Sequence, residues 1–192
     1  MEKFYKEYGK FIIHFENVCF TMNYCIRHIC TKGKMFSSED KNIEILLQGL
    51  TAQPILTKFK AIFFNSEHFK NNEFLELFNI FNNNFIKVIE FRNFIAHGTF
   101  FYGDPYGNID KFQIRNTKIN KKGFYDNTNI IDISSLENLN KDIVKLENFL
   151  GYLSIYIRRT SKESKIKIYN LMKQTIINLT IDLNIESKSI QI

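Results

Sequence analysis

Within six consecutive residues, Arg92-Asn93-Phe94-Ile95-Ala96-His97, the chain carries a guanidinium, an amide and an imidazole. Each supplies a different part of phosphoryl chemistry. Arginine presents a fixed fork of donors that matches phosphate oxygens two at a time. Histidine titrates near neutral pH and moves protons. Asparagine both donates and accepts, so it can orient the imidazole or bind a phosphate oxygen. On a helix, Asn93 and His97 are four residues apart and share a face. His97 falls in the last turn before Gly98, where the negative helix end favours imidazolium. The three side chains therefore converge on one helix end as the parts of a phosphate site.

Arg92 also breaks the pattern of its own helix. Phe74, Phe78, Phe81, Phe85 and Val88 recur at helical spacing and extrapolate to positions 92 and 95. Position 95 is Ile95, as the stripe requires, but position 92 is arginine. At about 100° per residue it falls near the middle of the apolar face. A guanidinium there needs a partner, or a place where the stripe meets solvent or another chain. In the catalytic reading, Arg92 is held ready for a substrate phosphate. In the structural reading, it pairs with an acid from another helix and His97 caps carbonyls.

The run from Arg92 to His97 resembles the Arg-x(4–6)-His signature of the HEPN superfamily, whose arginine is often followed by asparagine. The likeness covers the motif and its setting. The motif closes a core helix of a helical chain, and a turn-rich segment and another long helix follow. The resemblance implies an all-α, up-and-down bundle of four to six helices. It implies a homodimer in which two copies of the motif face each other across a cleft. It further implies a metal-independent endoribonuclease of a toxin–antitoxin or antiphage defence system. His97 would be the general base or acid, Arg92 would stabilise charge on the phosphoryl oxygens, and Asn93 would support them. The nucleophile is the adjacent RNA 2′-hydroxyl, so no metal or other cofactor is expected and DNA is not a substrate. The alternative is a catalytically inert HEPN-like module that binds RNA, a nucleotide or a protein. The expected partners are RNA, a second copy, and a cognate antitoxin or defence-system protein. Some toxins of the family carry a modifiable tyrosine two residues after the histidine. Here that position is Thr99 and the nearest tyrosine is Tyr102, so control by that route is not expected.

The elements that must position these residues are legible as apolar periodicities. Phe4, Tyr8, Phe11, Ile12, Phe15, Val18, Cys19, Met22, Ile26 and Ile29 form one face of a long helix that Gly33 can cap. Ser37, with Glu39 and Asp40 after it, reads as a second helix start. Pro54 suits the first position of a short third helix carrying Ile55, Phe59, Ile62 and Phe63. The motif helix spans 72–97, with Gly98 as its C-cap candidate. Helical period then disappears over 99–133. A turn cluster at 103–108 and the alternation Lys111-Phe112-Gln113-Ile114-Arg115 predict an inserted β-hairpin or extended loop. Ser134 and Glu137 are spaced as a capping box before a long helix carrying Leu139, Ile143, Leu146, Phe149, Leu150, Leu153 and Ile157. Ile166, Tyr169, Met172, Ile176 and Leu179 suggest a last helix, and 184–192 reads as a frayed tail. Residues 1–192 are thus read as one helical domain with an insertion.

Composition narrows the setting. The chain has 192 residues, 44% hydrophobic and 24% charged, values of a folded globular protein. Its net charge of +6 permits a polyanionic partner. Residues 111–122 hold five basic side chains and no acid: Lys111, Arg115, Lys118, Lys121 and Lys122. They are candidate RNA contacts, set against an ordinary solvated loop. Arg158, Arg159, Lys162 and Lys165 form a second basic cluster of the same standing. Three cysteines make a disulfide framework improbable, and the first residues lack a secretory h-region, so a reducing cytoplasm is expected. No apolar run is long enough to span a membrane. Cys19, Cys25 and Cys30 with His28 match no zinc spacing and are read as core. Without a glycine-rich phosphate loop or a nucleophile elbow, enzymes built on those parts are not expected. A helix-turn-helix DNA reader ranks third, for want of a base-reading recognition helix.

Overall fold

Apolar stripes build the helices, and each stripe finds its partner in one continuous core. The first forms α1 (Glu2–Cys30), burying Phe4, Phe11, Phe15, Val18, Met22 and Ile26. Gly33 (φ +82°) ends it, donating its N–H to the His28 carbonyl at 3.0 Å. That left-handed conformation suits glycine. α2 (Ser38–Leu47) begins as expected, with the Ser37 side chain accepting from the Asp40 N–H. α3 (Ala52–Asn65) starts two residues before Pro54, which takes its third position rather than its first.

In the computed structural model, residues 2–66, 72–103, 111–120, 123–183 and 186–191 are described. α4 (Asn72–Ala96) buries a stripe of phenylalanines from Phe74 to Phe91. Its phenylalanines reach several neighbours: Phe78 stacks on Phe63 of α3, while Phe85 stacks on Phe15 and Phe91 meets Phe11 edge-on, both of α1. Phe81 stacks on Phe149 of α5 (Ile133–Arg158). The N-cap of α5 is Asp132, whose side chain accepts from the Ser134 N–H at 2.9 Å. The N-cap therefore lies two residues before the expected Ser134. α6 (Lys162–Ile176) follows a short corner. Beyond it, buried Asn84 of α4 donates to the Leu179 carbonyl and accepts from the Ile181 N–H. Lys87 donates to the Ile181 carbonyl at 2.7 Å, so α4 holds the exit from α6 by three side-chain bonds.

The insertion is wider than a hairpin. β1 (Thr99–Tyr102), β2 (Lys111–Asn120), β3 (Gly123–Asp132) and β4 (Glu186–Gln191) form an antiparallel sheet in that order. Residues 186–191, expected to fray, instead pair with β3. The alternation of β2 is realised: Phe112 and Ile114 are buried, and Phe112 packs on Phe4 at 4.1 Å between ring centroids. The chain is therefore mainly helical rather than all-α. The turn cluster at 104–110 lies outside the described residues. Among the described residues, no helix is long and apolar enough to cross a membrane.

Candidate active site

Why α4 stops at the motif is visible in its last turn. His97 donates its N–H to the Asn93 carbonyl at 3.2 Å, and Gly98 to the Ile95 carbonyl at 3.4 Å, after which β1 begins at Thr99. The last helical residue is Ala96, so His97 lies just past the helix end rather than within it. Gly98 does not take the left-handed φ of a C-cap glycine, unlike Gly33. Strand entry, not a glycine cap, terminates this helix.

Arg92 sits where the periodicity put it. It is half-buried on the core side of α4, with its guanidinium carbon 5.9 Å from the centroid of the Phe15 ring. Its hydrogen-bond partner is the Asn93 side-chain oxygen, at 3.5 Å. Among the described residues, no carboxylate comes within ion-pair distance of it. The contrast with Arg27 is direct. Arg27 holds the fully buried Asp40 with two bonds of 2.7 and 2.8 Å and adds Glu44 at 3.2 Å. Asp40 also accepts from the Phe36 N–H. Chiefly through the Arg27 bonds, its carboxyl is pulled down to about 2.

Arg92, Asn93 and His97 line one cavity of about 670 Å³, a size that holds small ligands. From α1 it takes Phe15, Glu16, Cys19, Phe20 and Asn23, and from the start of α3 Ala52, Gln53 and Ile55. The stretch between α2 and α3 adds Leu50 and Thr51. Asn93 and His97 are both exposed, and the His97 ring makes no hydrogen bond to another described residue. The Cys19 thiol is pushed up to about 12, mainly by burial and then by Glu16, with Arg92 opposing. It is therefore a protonated, inert wall rather than a nucleophile. A half-buried guanidinium, an exposed amide and an exposed imidazole around one cavity can bind an anion and exchange protons with it.

Of the basic candidates in the insertion, Lys111 is half-buried and Arg115 exposed, and neither lines this cavity. Arg115 nevertheless pairs across the sheet with Thr99, two residues beyond His97. Lys118 lies on β2, while Lys121 and Lys122 fall outside the described residues. The second basic cluster occupies the α5–α6 corner. There Arg158 donates to the Ser154 carbonyl and rests on the Tyr24 ring, and Lys165 rests on Tyr156. Arg158 and Arg159 line a different cavity.

Glu16, Phe20 and Asn23 were not legible as site residues. A signal existed for Phe20, a phenylalanine on the side of α1 opposite its apolar stripe. Nothing local marks Glu16 or Asn23. Comparison with family models, with characterised proteins and with solved structures gave no match to this chain.

Proposed function

We propose that the chain is an endoribonuclease that cleaves RNA without a metal ion, at a site to which two copies contribute, acting as a toxin or antiphage effector. The observation that carries this reading is Arg92. A half-buried guanidinium with no carboxylate partner among the described residues, lining a cavity beside a histidine, is not committed to an ion pair of the fold. It is suited to an anion that arrives from outside.

Arg92 binds the scissile phosphate and stabilises the charge that develops on its non-bridging oxygens. His97 takes the proton from the 2′-hydroxyl, O2′ attacks phosphorus, and the bond to O5′ breaks. The departing O5′ receives a proton from the His97 of the second copy. The products are a 2′,3′-cyclic phosphate and a 5′-hydroxyl. Asn93, bonded to Arg92, keeps the fork turned toward the cavity.

The test is RNA cleavage by the purified protein in EDTA, beside Arg92→Ala and His97→Ala. Each substitution is expected to lower the rate by at least about 10²-fold. Product ends are expected to be 2′,3′-cyclic phosphate, with DNA left intact. Cleavage of DNA at a comparable rate defeats the mechanism. A second reading, a HEPN-like module that binds without cleaving, is favoured by the His97 ring, which no described group orients. Tight RNA binding with no cleavage by a folded dimer would select it.

A further inference from the structure

We propose that Phe20 and Asn23 form a subsite that holds an unpaired base of the RNA strand beside Arg92 and His97. The proposal rests on reading that site as an RNA site and adds where the strand lies and which side chains read it.

α1 uses its apolar stripe for the core, and Phe20 is off that stripe: it is 70% exposed. Three residues on, one face along, is Asn23. Its side-chain oxygen is shielded from water and has no hydrogen-bond partner among the described residues. Buried polar atoms are nearly always paired, so a small turn of this half-buried amide toward a donor in the cavity is favoured. The fold thus presents an unburied ring and an unsatisfied amide side by side and uses neither.

Both residues line the Arg92 cavity, and both also line a second cavity of about 600 Å³ with Arg27, Lys41, Glu44, Ile45 and Gln48. They are the shared wall where the two hollows meet. From Glu16 to Arg27 the groove follows α1 for about 17 Å at 1.5 Å per residue. That length accommodates up to about five stacked nucleotides at 3.4 Å each. Arg92 lies in one cavity and the exposed Lys41 in the other. Arg27 is committed to Asp40 and Glu44. Glu16 and Glu44 also line the hollows, so the groove is not a uniformly basic channel. A strand is held there by discrete contacts, not by bulk charge.

A nucleobase matches this pair of side chains. Its face stacks on an exposed aromatic ring, and its edge offers a donor next to an acceptor, as an amide does. With the phosphate on Arg92, the attached nucleoside falls against the α1 wall, where Phe20 and Asn23 stand. The competing occupant is a second copy of the chain, because exposed Ile45 and Leu46 lie on the neighbouring α2. The polar walls of the groove and the unpaired Asn23 acceptor favour the base.

The experiment uses single-stranded oligoribonucleotides of U, A, C or G. Binding is read by fluorescence anisotropy with the His97→Ala protein, and cleavage with His97 in place. Phe20→Ala is expected to weaken binding about tenfold or more, the loss of one stacked base, and to raise KM more than it lowers kcat. Phe20→Trp is expected to restore binding. Asn23→Asp is expected to shift preference toward guanine, whose N1–H and N2–H₂ both donate to a carboxylate. If the parent protein binds and cuts RNA and these variants match it, the subsite falls and the ribonuclease reading stands. If the parent neither binds nor cuts any of the four, both fall. If Phe20→Ala turns a dimer into a monomer in sedimentation velocity, the ring belongs to a chain–chain contact and the subsite is overturned.

Discussion

A half-buried arginine with no carboxylate partner among the described residues can be judged by what happens when its charge is removed. Arg92 rests on Phe15 and bonds only weakly to Asn93, at 3.5 Å. An unbranched apolar side chain of similar length fills the same space on the α4 stripe without desolvating a charge. Arg92→Met is therefore expected to raise stability by about 1 kcal/mol, a common trade at functional sites. The same change is expected to abolish cleavage. A chemical-denaturation midpoint and a cleavage rate on the same sample check both halves. Arg92→Lys keeps the charge but loses the planar fork, and should keep the melting temperature while losing at least about tenfold in rate. A structural arginine would give the opposite result, lower stability with Met and near-normal behaviour with Lys. At this scale the sequence was unusually readable. One guanidinium in phase with five apolar positions marked the candidate site, because helical period converts spacing directly into direction. Phe20 carried the converse signal, an apolar residue set in the polar face of α1, and only the cavity beside it gives that signal a meaning.

The joins between elements hold the buried polar groups, and there pH enters. His28 of α1 is 4% exposed, and neither ring nitrogen has a hydrogen-bond partner among the described residues. Facing it are Tyr24 and Arg27 of the same helix, Asp40 of α2 and Arg158 of α5. Burial first, then the Arg158 charge, moves its pKa below the ordinary 6.5. The unfolded chain consequently binds a proton that the folded chain refuses. Stability contributed by His28 is full above about pH 6.5 and declines as pH falls toward its depressed folded value. Asp40 acts lower. Its pKa of about 2 means its contribution persists above the unfolded carboxylate range and is lost only as pH falls through about 2. Between about pH 5 and 6.5, then, melting temperature should slope downward with acid by a few degrees, and His28→Leu should flatten that slope. A slope unchanged in the variant would assign it elsewhere. A second join is Asn84, which satisfies Leu179 and Ile181 together. Asn84→Leu leaves backbone groups unpaired and should destabilise by about 2 kcal/mol in a denaturant titration. These joins were the least legible features. Asp40 and Asp132 are acids near helix starts, and the pattern alone cannot tell a buried hub from a cap. β4 has the sequence Glu186-Ser187-Lys188-Ser189-Ile190-Gln191, too polar to announce a strand, and its partner β3 is distant in the chain. Stripes are local information, whereas partners of this kind are set by the packing of the whole.

At the scale of the molecule, the question is how many chains one reaction needs. Transfer from O2′ to O5′ takes one proton and gives one back, so a neutral-pH mechanism calls for two titratable groups. Among the described residues, one chain brings a single imidazole, that of His97, to the Arg92 cavity. The other ionisable side chains beside Arg92 and His97 are Glu16 and Cys19, and the Cys19 thiol at about 12 holds its proton too tightly to serve. Exposed His97, at the foot of α4 where the chain enters β1, is free to face its counterpart in a second copy. A shared site makes a sharp prediction about mixtures. Arg92→Ala and His97→Ala homodimers should each be inactive. A heterodimer of the two, isolated with different tags, still joins one intact Arg92 to one intact His97 across the interface. It should cut RNA at least about tenfold faster than either parent, and slower than the unaltered protein, since half of the composite is missing. A site contained within one chain would give no such recovery, because each protomer would lack one of its own two central residues. Recovery that vanishes on dilution, together with the sedimentation boundary of the dimer, would locate the reaction between two chains.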